Sequence, residues 1–449
     1  MIKNVSYRIS FVVSLFTLLF FFLFTTISVY SMLGISLFMF FSVKFFFDMS
    51  KTIDVRDLMI VFALLQWIIG PILAYHFVTE DPIFYMSVDE ETYMGFIFPA
   101  TLFFAIGMYI PIFKKKINEK NILILLEKIT AKYPNLDLIL FFSGIVIISL
   151  WEIAPQFLKF FIYLTSNIRF VGLYLIFIHN RPYKWLYFIL FMLSMLAGAV
   201  ESALFHDMVL WMGFSMMALA FILNFSITQK STILVSVLLL VLLIQIGKPI
   251  IRDLNPEERD VQLFYDEATE KLYQEEYIFS EGFINYNISR MNQGWIITRI
   301  MSFVPTYEPF ADGETIWKGI KGSLLPRFLD PEGRVSAGNS EYFYRFTGLQ
   351  LAAATSMDIS IIGEAYANYG INGGILFMFI LGLFYNSVLH YVLNLSQKYP
   401  LLLLMLPILF FHVVKAETDF TSSMNYLIKA SMVVVSIYLG LRQILGMDV

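Results

Sequence analysis

Arginines, aromatic rings and amides are concentrated in one polar stretch of this chain, residues 282–345. Its members are Arg290, Asn292, Gln293, Arg299, Lys318, Lys321, Arg327, Arg334 and Arg345, with Trp295, Tyr307, Trp317, Tyr342 and Tyr344 among them. Arginine offers a planar fork of donors that fits phosphate oxygens, and it stays charged. Aromatic rings present flat apolar faces to sugars, and amides hydrogen-bond to hydroxyl groups. The mixture predicts a ligand with both phosphate and sugar, such as a glycan linked to lipid through a diphosphate.

The bases of this stretch have two interpretations. Each arginine either binds the diphosphate or pairs with acidic residues of the same segment or with lipid headgroups. The short element 324–329 is amphipathic, which predicts that Arg327 lies at headgroup depth. We expect the arginines to bind the diphosphate and to stabilise it as it leaves. The candidates for substrate binding are Arg290, Arg299, Arg327, Arg345, Lys321 and Tyr342.

A carboxylate follows where the sequence becomes apolar again, in the segment Gly363-Glu364-Ala365-Tyr366-Ala367-Asn368-Tyr369-Gly370. Glu364 lies at the predicted start of a helix, where backbone N–H groups favour an anion. It is either a helix-start residue or a functional group that orients or deprotonates an acceptor hydroxyl. We take Glu364 as the candidate catalytic residue.

Further ionisable residues are predicted at the same membrane face as this segment. They are Glu201, His206, Asp207, Lys415, Glu417 and Asp419. They are either ordinary interfacial residues or the lining of a common cavity.

The composition shows what must position these residues. The chain has 449 residues, of which 58% are hydrophobic and only 15% charged, and it has no cysteine. Apolar runs of about 18 to 25 residues recur, the length that a helix needs to cross a bilayer. The sequence therefore predicts an all-α polytopic membrane protein without disulfides. The first apolar run is too long for a signal peptide and is predicted to be a retained span.

The distribution of charge predicts the topology. Lys114, Lys115 and Lys116 begin a basic loop, which the positive-inside rule places in the cytoplasm together with both termini. We expect about twelve transmembrane helices. Residues 1–249 form a bundle of about nine, 250–360 form one large extracytoplasmic loop, and 361–449 supply about three more. The first part of the loop is acidic and is predicted to be a solvated, partly helical segment.

Several function classes find no support in the sequence. The five histidines are scattered, without HExxH or another metal-ligand spacing. There is no Walker motif and no GxSxG motif. No basic patch for nucleic acid occurs in a cytoplasmic segment. The sequence thus predicts neither a metal, a cofactor nor a nucleic-acid partner.

The chain resembles the Wzy-like O-antigen and oligosaccharide repeat-unit polymerases. The resemblance lies in the number of spans, the large late loop rich in arginine, the segment Gly363 to Gly370, and the stretch Leu325-Pro326-Arg327-Phe328 before it. It implies a glycosyltransferase C-like protein of the bacterial inner membrane, with periplasmic chemistry. The chain departs from such polymerases at residues 199–203, where they often carry an arginine and this chain has none.

The resemblance also implies a reaction. Such enzymes transfer a growing glycan from undecaprenyl diphosphate onto the non-reducing end of a lipid-linked repeat unit, without a nucleotide sugar or metal. The implied partners are undecaprenyl-diphosphate-linked glycans, membrane lipid and a chain-length regulator. Three alternatives stay open: an O-antigen ligase that transfers finished glycan, a transporter or flippase of lipid-linked sugars, and a non-catalytic assembly protein.

Overall fold

Apolar runs form helices throughout the described chain. The computed structural model describes residues 3–78, 84–112, 117–254, 258–325, 340–352, 355–443 and 446, and these residues contain helices but no β-strand. The first half contains α1 (Lys3–Phe24), α2 (Val29–Asp48), α3 (Val55–Leu64), a π-helical turn (Leu65–Ile69), α4 (Gly70–Phe77), α5 (Glu90–Tyr109), α6 (Glu119–Lys132), α7 (Leu136–Ser149), α8 (Gln156–Ser166), α9 (Ile168–Ile178), α10 (Lys184–Ser202), α11 (His206–Leu223) and α12 (Ile227–Asp253).

The second half begins with short helices and ends with long ones. It contains α13 (Val261–Tyr273), α14 (Glu275–Ile278), α15 (Glu281–Met291), α16 (Gly294–Phe303), α17 (Glu314–Leu324), α18 (Ser340–Thr347), α19 (Ile361–Ser396), α20 (Leu401–Val414) and α21 (Phe420–Gln443). The α18 helix is the last one before the chain returns to the apolar bundle. The boundary predicted at residue 250 falls inside α12, whereas the boundary predicted at residue 361 coincides with the start of α19.

Ten helices in the described residues are long and apolar enough to cross a membrane. A pair formed by α6 and α7, bent by 88°, gives an eleventh if it counts as one span. The protein is therefore a multi-pass membrane protein, and its described residues contain fewer candidate spans than the roughly twelve predicted. The α20 helix accounts for part of the difference, because its 14 residues extend only about 21 Å at ~1.5 Å per residue. That is less than the ~30 Å of a hydrocarbon core.

Side-chain caps fix where several of these helices begin. Asp89 accepts a hydrogen bond from the backbone N–H of Thr92 over 2.9 Å at the start of α5. Ser226 and Gln229 form a reciprocal capping box at the start of α12. Each cap satisfies backbone donors that the first helical turn leaves without a partner.

The helix ends form two separate polar regions. At one of them the hydroxyl of Ser50 donates to the carbonyl of Phe225 over 3.0 Å. At the other, Lys415 Nζ lies 2.7 Å from Asp207 Oδ1. We call the second region the loop end, because the described residues 258–325 and 340–352 lie there, and we call the first region the opposite end.

The described residues 258–325 and 340–352 pack against the bundle rather than apart from it. Phe264 of α13 stacks on Phe205, with ring centroids 5.5 Å apart. Ile297 and Ile300 of α16 are fully buried in the same hydrophobic core as the spanning helices. The described parts of this segment thus form short helices packed on the bundle.

Two glycine positions shape the helix that follows the segment. Gly370 has φ of 63° and ψ of −161°, which breaks α19 into two parts and which residues with a side chain rarely adopt. Further along α19, a Cβ added to Gly382 would lie 2.3 Å from the carbonyl oxygen of Phe104. Close contact between α19 and α5 therefore depends on this glycine.

Candidate functional site

The carboxylate of Glu364 is buried and fully hydrogen-bonded. Its side chain lies in the first turn of α19 and is 0% exposed. Oε1 accepts a hydrogen bond from the hydroxyl of Thr315 over 2.6 Å. Oε2 accepts one over 2.8 Å from the backbone N–H of Phe420, the first residue of α21. The helix N-terminal donors that the sequence predicted near Glu364 therefore belong to α21, a different helix.

Asn368, one turn further along α19, completes this arrangement. Its amide donates to Thr315 Oγ1 over 2.7 Å and to the carbonyl of Glu364 over 2.9 Å. Its Oδ1 accepts from the backbone N–H of Gly313 over 3.0 Å. The two side chains thus join α17, α19 and α21. In this arrangement both oxygens of Glu364 accept hydrogen bonds from the protein, and the side chain does not reach the surface.

A second buried carboxylate lies beside Glu364. Asp419 accepts a hydrogen bond from the backbone N–H of Ser422 over 2.6 Å at the start of α21. Burial raises the pKa of Asp419. The charges of Asp419 and Glu364 are close enough to interact. This carboxylate pair is a feature of the core at the loop end, not of its surface.

Two of the predicted phosphate-binding arginines bind protein groups. Arg345 Nε lies 2.6 Å from Glu308 Oε1, and Arg345 Nη1 lies 3.0 Å from Glu314 Oε2. Burial opposes the charge of Arg345, but the hydrogen bonds to the two carboxylates raise its pKa overall. Arg299 Nε donates to the carbonyl of Thr347 over 2.9 Å. For Arg345 the geometry corresponds to the alternative of pairing within the segment.

The remaining predicted residues do not form one group. Tyr342 is 2% exposed, and burial raises its pKa. Its hydroxyl has no hydrogen-bond partner among the residues that the structure describes. Lys321 is exposed on α17. Arg327 lies outside the described residues. Arg290, another residue of the predicted set, lies in a group of cations that have no ion-paired carboxylate among the described residues.

That group consists of Lys248, Arg252 and Arg290, which we call the basic cluster. Lys248 and Arg252 lie one turn apart at the end of α12, and Arg290 lies in the last turn of α15. Arg252 and Arg290 are exposed, and Lys248 is half-buried. The charges of all three interact with one another. Burial first, and the neighbouring charge of Arg290 second, lower the pKa of Arg252.

Among the described residues, little negative charge lies close to the three cations of the basic cluster. Within the described part of the chain, no carboxylate lies within ion-pairing distance of Lys248, Arg252 or Arg290. The guanidinium of Arg290 stacks over the ring of Tyr286, 5.1 Å from its centroid, and the more distant charge of Glu417 acts on Lys248. Like charges spaced by four residues on a helix repel each other. A bound anion would offset this repulsion, so the basic cluster is suited to anion binding.

Glu417 is a carboxylate at the loop end that reaches the surface. Its side chain is 33% exposed, and its Oε1 lies 3.3 Å from Nδ1 of His206. The amide of Gln66 lies 3.4 Å from its Oε2. One side chain from α11 and one from the π-helical turn therefore orient Glu417, whose charge acts on Lys248 of the basic cluster.

The loop that carries Glu417 is held in place by its neighbours. Lys415 donates to Asp207 Oδ1 over 2.7 Å, and the hydroxyl of Tyr163 donates to Asp207 Oδ2 over 2.8 Å. The carbonyl of Ala416 accepts from Trp67 Nε1 over 3.0 Å and from the hydroxyl of Ser360 over 2.7 Å. These contacts connect four parts of the bundle.

Comparison with known proteins does not identify a family. No family model matches the chain, and neither does a curated protein or a solved structure. The resemblance to Wzy-like polymerases therefore stays a hypothesis that rests on the sequence features above. Within the described residues there is no group of three or more histidines and carboxylates that could hold a metal ion.

The sequence identified only part of this site. Arg290 was a candidate, and Glu417 and His206 were predicted to lie at the same face. Lys248 and Arg252 were missed, because they stand at the boundary between a predicted span and an acidic segment. Their spacing of four residues at the end of a long apolar helix is the signal that could have found them.

Proposed function

We propose that this protein is a glycosyltransferase that polymerises lipid-linked oligosaccharide repeat units. It has a glycosyltransferase C-like fold, lies in the bacterial inner membrane and acts on undecaprenyl-diphosphate-linked glycans at the periplasmic face. The basic cluster carries this proposal. Its three cations lie where α12 leaves the apolar bundle, with no ion-paired carboxylate among the described residues. A diphosphate at the membrane surface is an anion of the right charge and depth for such a site.

The loop end faces the periplasm in this proposal. The basic residues from Lys114 to Lys120 then lie in the cytoplasm, as the positive-inside rule requires. Both chain termini lie in the cytoplasm as well. A long segment such as 258–352 crosses the membrane largely regardless of its charges.

The basic cluster binds the diphosphate of the donor. In the transfer step the bond between the anomeric carbon of the sugar and the diphosphate oxygen breaks, and the acceptor hydroxyl oxygen forms the new bond to that carbon. The electron pair of the broken bond stays on the leaving diphosphate. Cations that are already in position stabilise this charge without reorganisation, and this lowers the barrier.

Glu417 accepts the proton of the acceptor hydroxyl. It is one third exposed, whereas Glu364 is not exposed at all. His206 and Gln66 hold the two oxygens of Glu417, so that the carboxylate is oriented before the acceptor arrives. We therefore assign the role of acceptor base to Glu417 and a positioning role to Glu364.

Substitutions in the basic cluster test this proposal. Lys248→Gln, Arg252→Gln and Arg290→Gln are each returned to a strain that lacks the gene, and surface polysaccharide length is measured on gels. We expect a strong loss of long chains in each variant, with protein levels unchanged. Lys318→Gln is the matched control, because Lys318 is an exposed base paired with Glu314. Chains of wild-type length in all three variants would contradict the proposal.

A ligase is the second candidate, because the basic cluster would serve the same donor chemistry there. The two functions differ in what accumulates without the protein. A polymerase deletion leaves single repeat units on the lipid carrier, whereas a ligase deletion leaves finished polymer there. Mass analysis of the lipid-linked glycans of the deletion strain distinguishes them.

A further inference from the structure

A cavity lies at the opposite end of the bundle, and none of the three residues of the basic cluster lines it. Its volume is about 400 Å³, within the ~300–1,000 Å³ typical of sites for small ligands. Its charged lining residues are Lys44, Asp48, Lys51, Asp54, Arg56 and Glu119. This lining carries three positive and three negative formal charges.

Most of these charged side chains already form ion pairs with other side chains of the protein. Lys44 lies 3.3 Å from Asp48 Oδ2 and 3.5 Å from Asp54 Oδ2, and it donates to Asp57 behind the cavity wall. Lys51 donates to Asp48 Oδ1 over 2.7 Å. A simple anion would therefore meet carboxylates as well as cations.

Arg56 has one N–H donor, at Nε, without a hydrogen-bond partner among the described residues. Its guanidinium packs over the ring of Tyr109, 4.4 Å from the centroid. Its Nε is 3.8 Å from Asp54 Oδ1, too far for a hydrogen bond. Among the described residues this buried Nε has no hydrogen-bond partner. Unpaired buried donors are uncommon in folded proteins and require an explanation.

Asp54 provides acceptor capacity beside that donor. Its Oδ1 caps α3 by accepting from the backbone N–H of Asp57. Its Oδ2 has Lys44 only at 3.5 Å, beyond the usual length of a strong charge-assisted hydrogen bond. Arg56 and Asp54 thus form a long ion pair in one cavity, in which Arg56 Nη1 donates to the carbonyl of Met108 over 3.5 Å and Arg56 Nε has no hydrogen-bond partner among the described residues.

One side of the cavity is apolar and lies at the end of spanning helices, although Thr52, Asn386 and His390 also line the cavity. Ile110, Ile112, Leu389 and Leu393 form this side of the cavity, and Ile112 is 41% exposed. The cavity lies at the ends of α2, α5 and α19, where the polar headgroups of a bilayer begin. A ligand with a charged head and an acyl chain fits both parts of this lining.

We propose that this cavity binds a zwitterionic phospholipid whose headgroup carries a primary ammonium group. The phosphate accepts hydrogen bonds from Arg56, and the ammonium donates to Asp54. The acyl chains leave over the apolar side. A quaternary ammonium has no N–H to donate, so phosphatidylcholine binds more weakly than phosphatidylethanolamine. This site is independent of the proposed glycan transfer.

Native mass spectrometry of the full-length protein in detergent tests this inference. Phosphatidylethanolamine, phosphatidylcholine and phosphatidylglycerol are titrated in turn, and soluble glycerophosphoethanolamine is added as a competitor. We expect preferential retention of phosphatidylethanolamine by the wild-type protein. Arg56→Gln weakens binding by about tenfold, the effect of one lost charged hydrogen bond. Lys318→Gln, at the loop end, leaves binding unchanged.

Each other outcome overturns the proposal. Equal retention of phosphatidylethanolamine and phosphatidylcholine shows that the ammonium group is not recognised. Equal retention by wild type and Arg56→Gln shows that the lipid binds elsewhere. Competition by the soluble headgroup at the same concentration as the lipid shows that the ligand is not a membrane lipid. If Arg56→Gln does not fold, the preference of the wild-type protein for phosphatidylethanolamine over phosphatidylcholine is the test of the proposal.

Discussion

The two ends of the bundle both carry clusters of charge, but they are built in opposite ways. At the opposite end, Lys44 is 3% exposed and is surrounded by Asp48, Asp54 and Asp57. At the loop end, Lys248 and its two neighbouring arginines have no ion-paired carboxylate among the described residues. Charges buried near a membrane are costly unless they are paired. The first cluster is therefore part of the fold, and the second is suited to an external anion.

A similar contrast separates two glutamates of the loop end. Glu364 has both oxygens hydrogen-bonded to α17 and α21 and no exposed surface. Glu417 is held by His206 and Gln66 but stays one third exposed. The same residue type positions helices in one case and is available for chemistry in the other.

The largest expected effect comes from Lys44→Met. This change leaves three neighbouring carboxylates without their shared cation, and breaking a buried ion pair costs about 3–5 kcal/mol. We expect a clear fall in the thermal unfolding temperature of the detergent-solubilised protein, followed by tryptophan fluorescence. In contrast, Arg290→Gln in the basic cluster should change this temperature little, because Arg290 has no ion pair among the described residues.

The double variant Lys44→Met, Asp57→Asn sharpens this comparison. Removing one carboxylate together with the cation should recover part of the lost stability. If Lys44→Met and Arg290→Gln destabilise the protein equally, the two clusters do not differ in the way proposed.

A smaller loss of stability is expected for Glu364→Ala. The hydroxyl of Thr315 and the backbone N–H of Phe420 lose their acceptor, at a total cost of about 1–3 kcal/mol, because the change also removes the repulsion between Glu364 and the buried Asp419. The unfolding temperature should fall, and the exposed Glu276→Ala serves as the control. A Glu364→Ala protein of wild-type stability that makes no long glycan would instead support the catalytic role that the sequence predicted.

Sequence and structure agree on some of these features for physical reasons. Helix length and apolar runs predict most spans, because a membrane imposes both. The segment from Gly363 to Gly370 was identified as special, and its glutamate and asparagine do join three helices. The sequence did not predict which carboxylates pair with Arg345, because Glu314 and Glu308 lie 31 and 37 residues away along the chain. The burial of Glu364 likewise depends on α17 and α21, which sequence spacing does not bring together.

The smallest expected effect concerns the paired arginine of the loop end, Arg345. Hydrogen bonds from Lys318 and then Arg345 lower the pKa of Glu314, so the folded state holds its carboxylate charged more firmly than the unfolded state does. This stabilisation is present above the ordinary glutamate pKa of about 4.3 and is lost as the pH falls through the lower folded value. Since water screens this pair, we expect only about 0.2–1 kcal/mol.

Unfolding temperatures of wild type and Arg345→Gln, measured from pH 7 down to pH 3, test this expectation. The difference between the two proteins should be largest at neutral pH and should shrink in acid. Glycan length in the Arg345→Gln strain should stay near that of the wild type, because Arg345 is already occupied by Glu308 and Glu314. Loss of long chains at unchanged stability would move Arg345 from the paired charges to the group that binds the diphosphate.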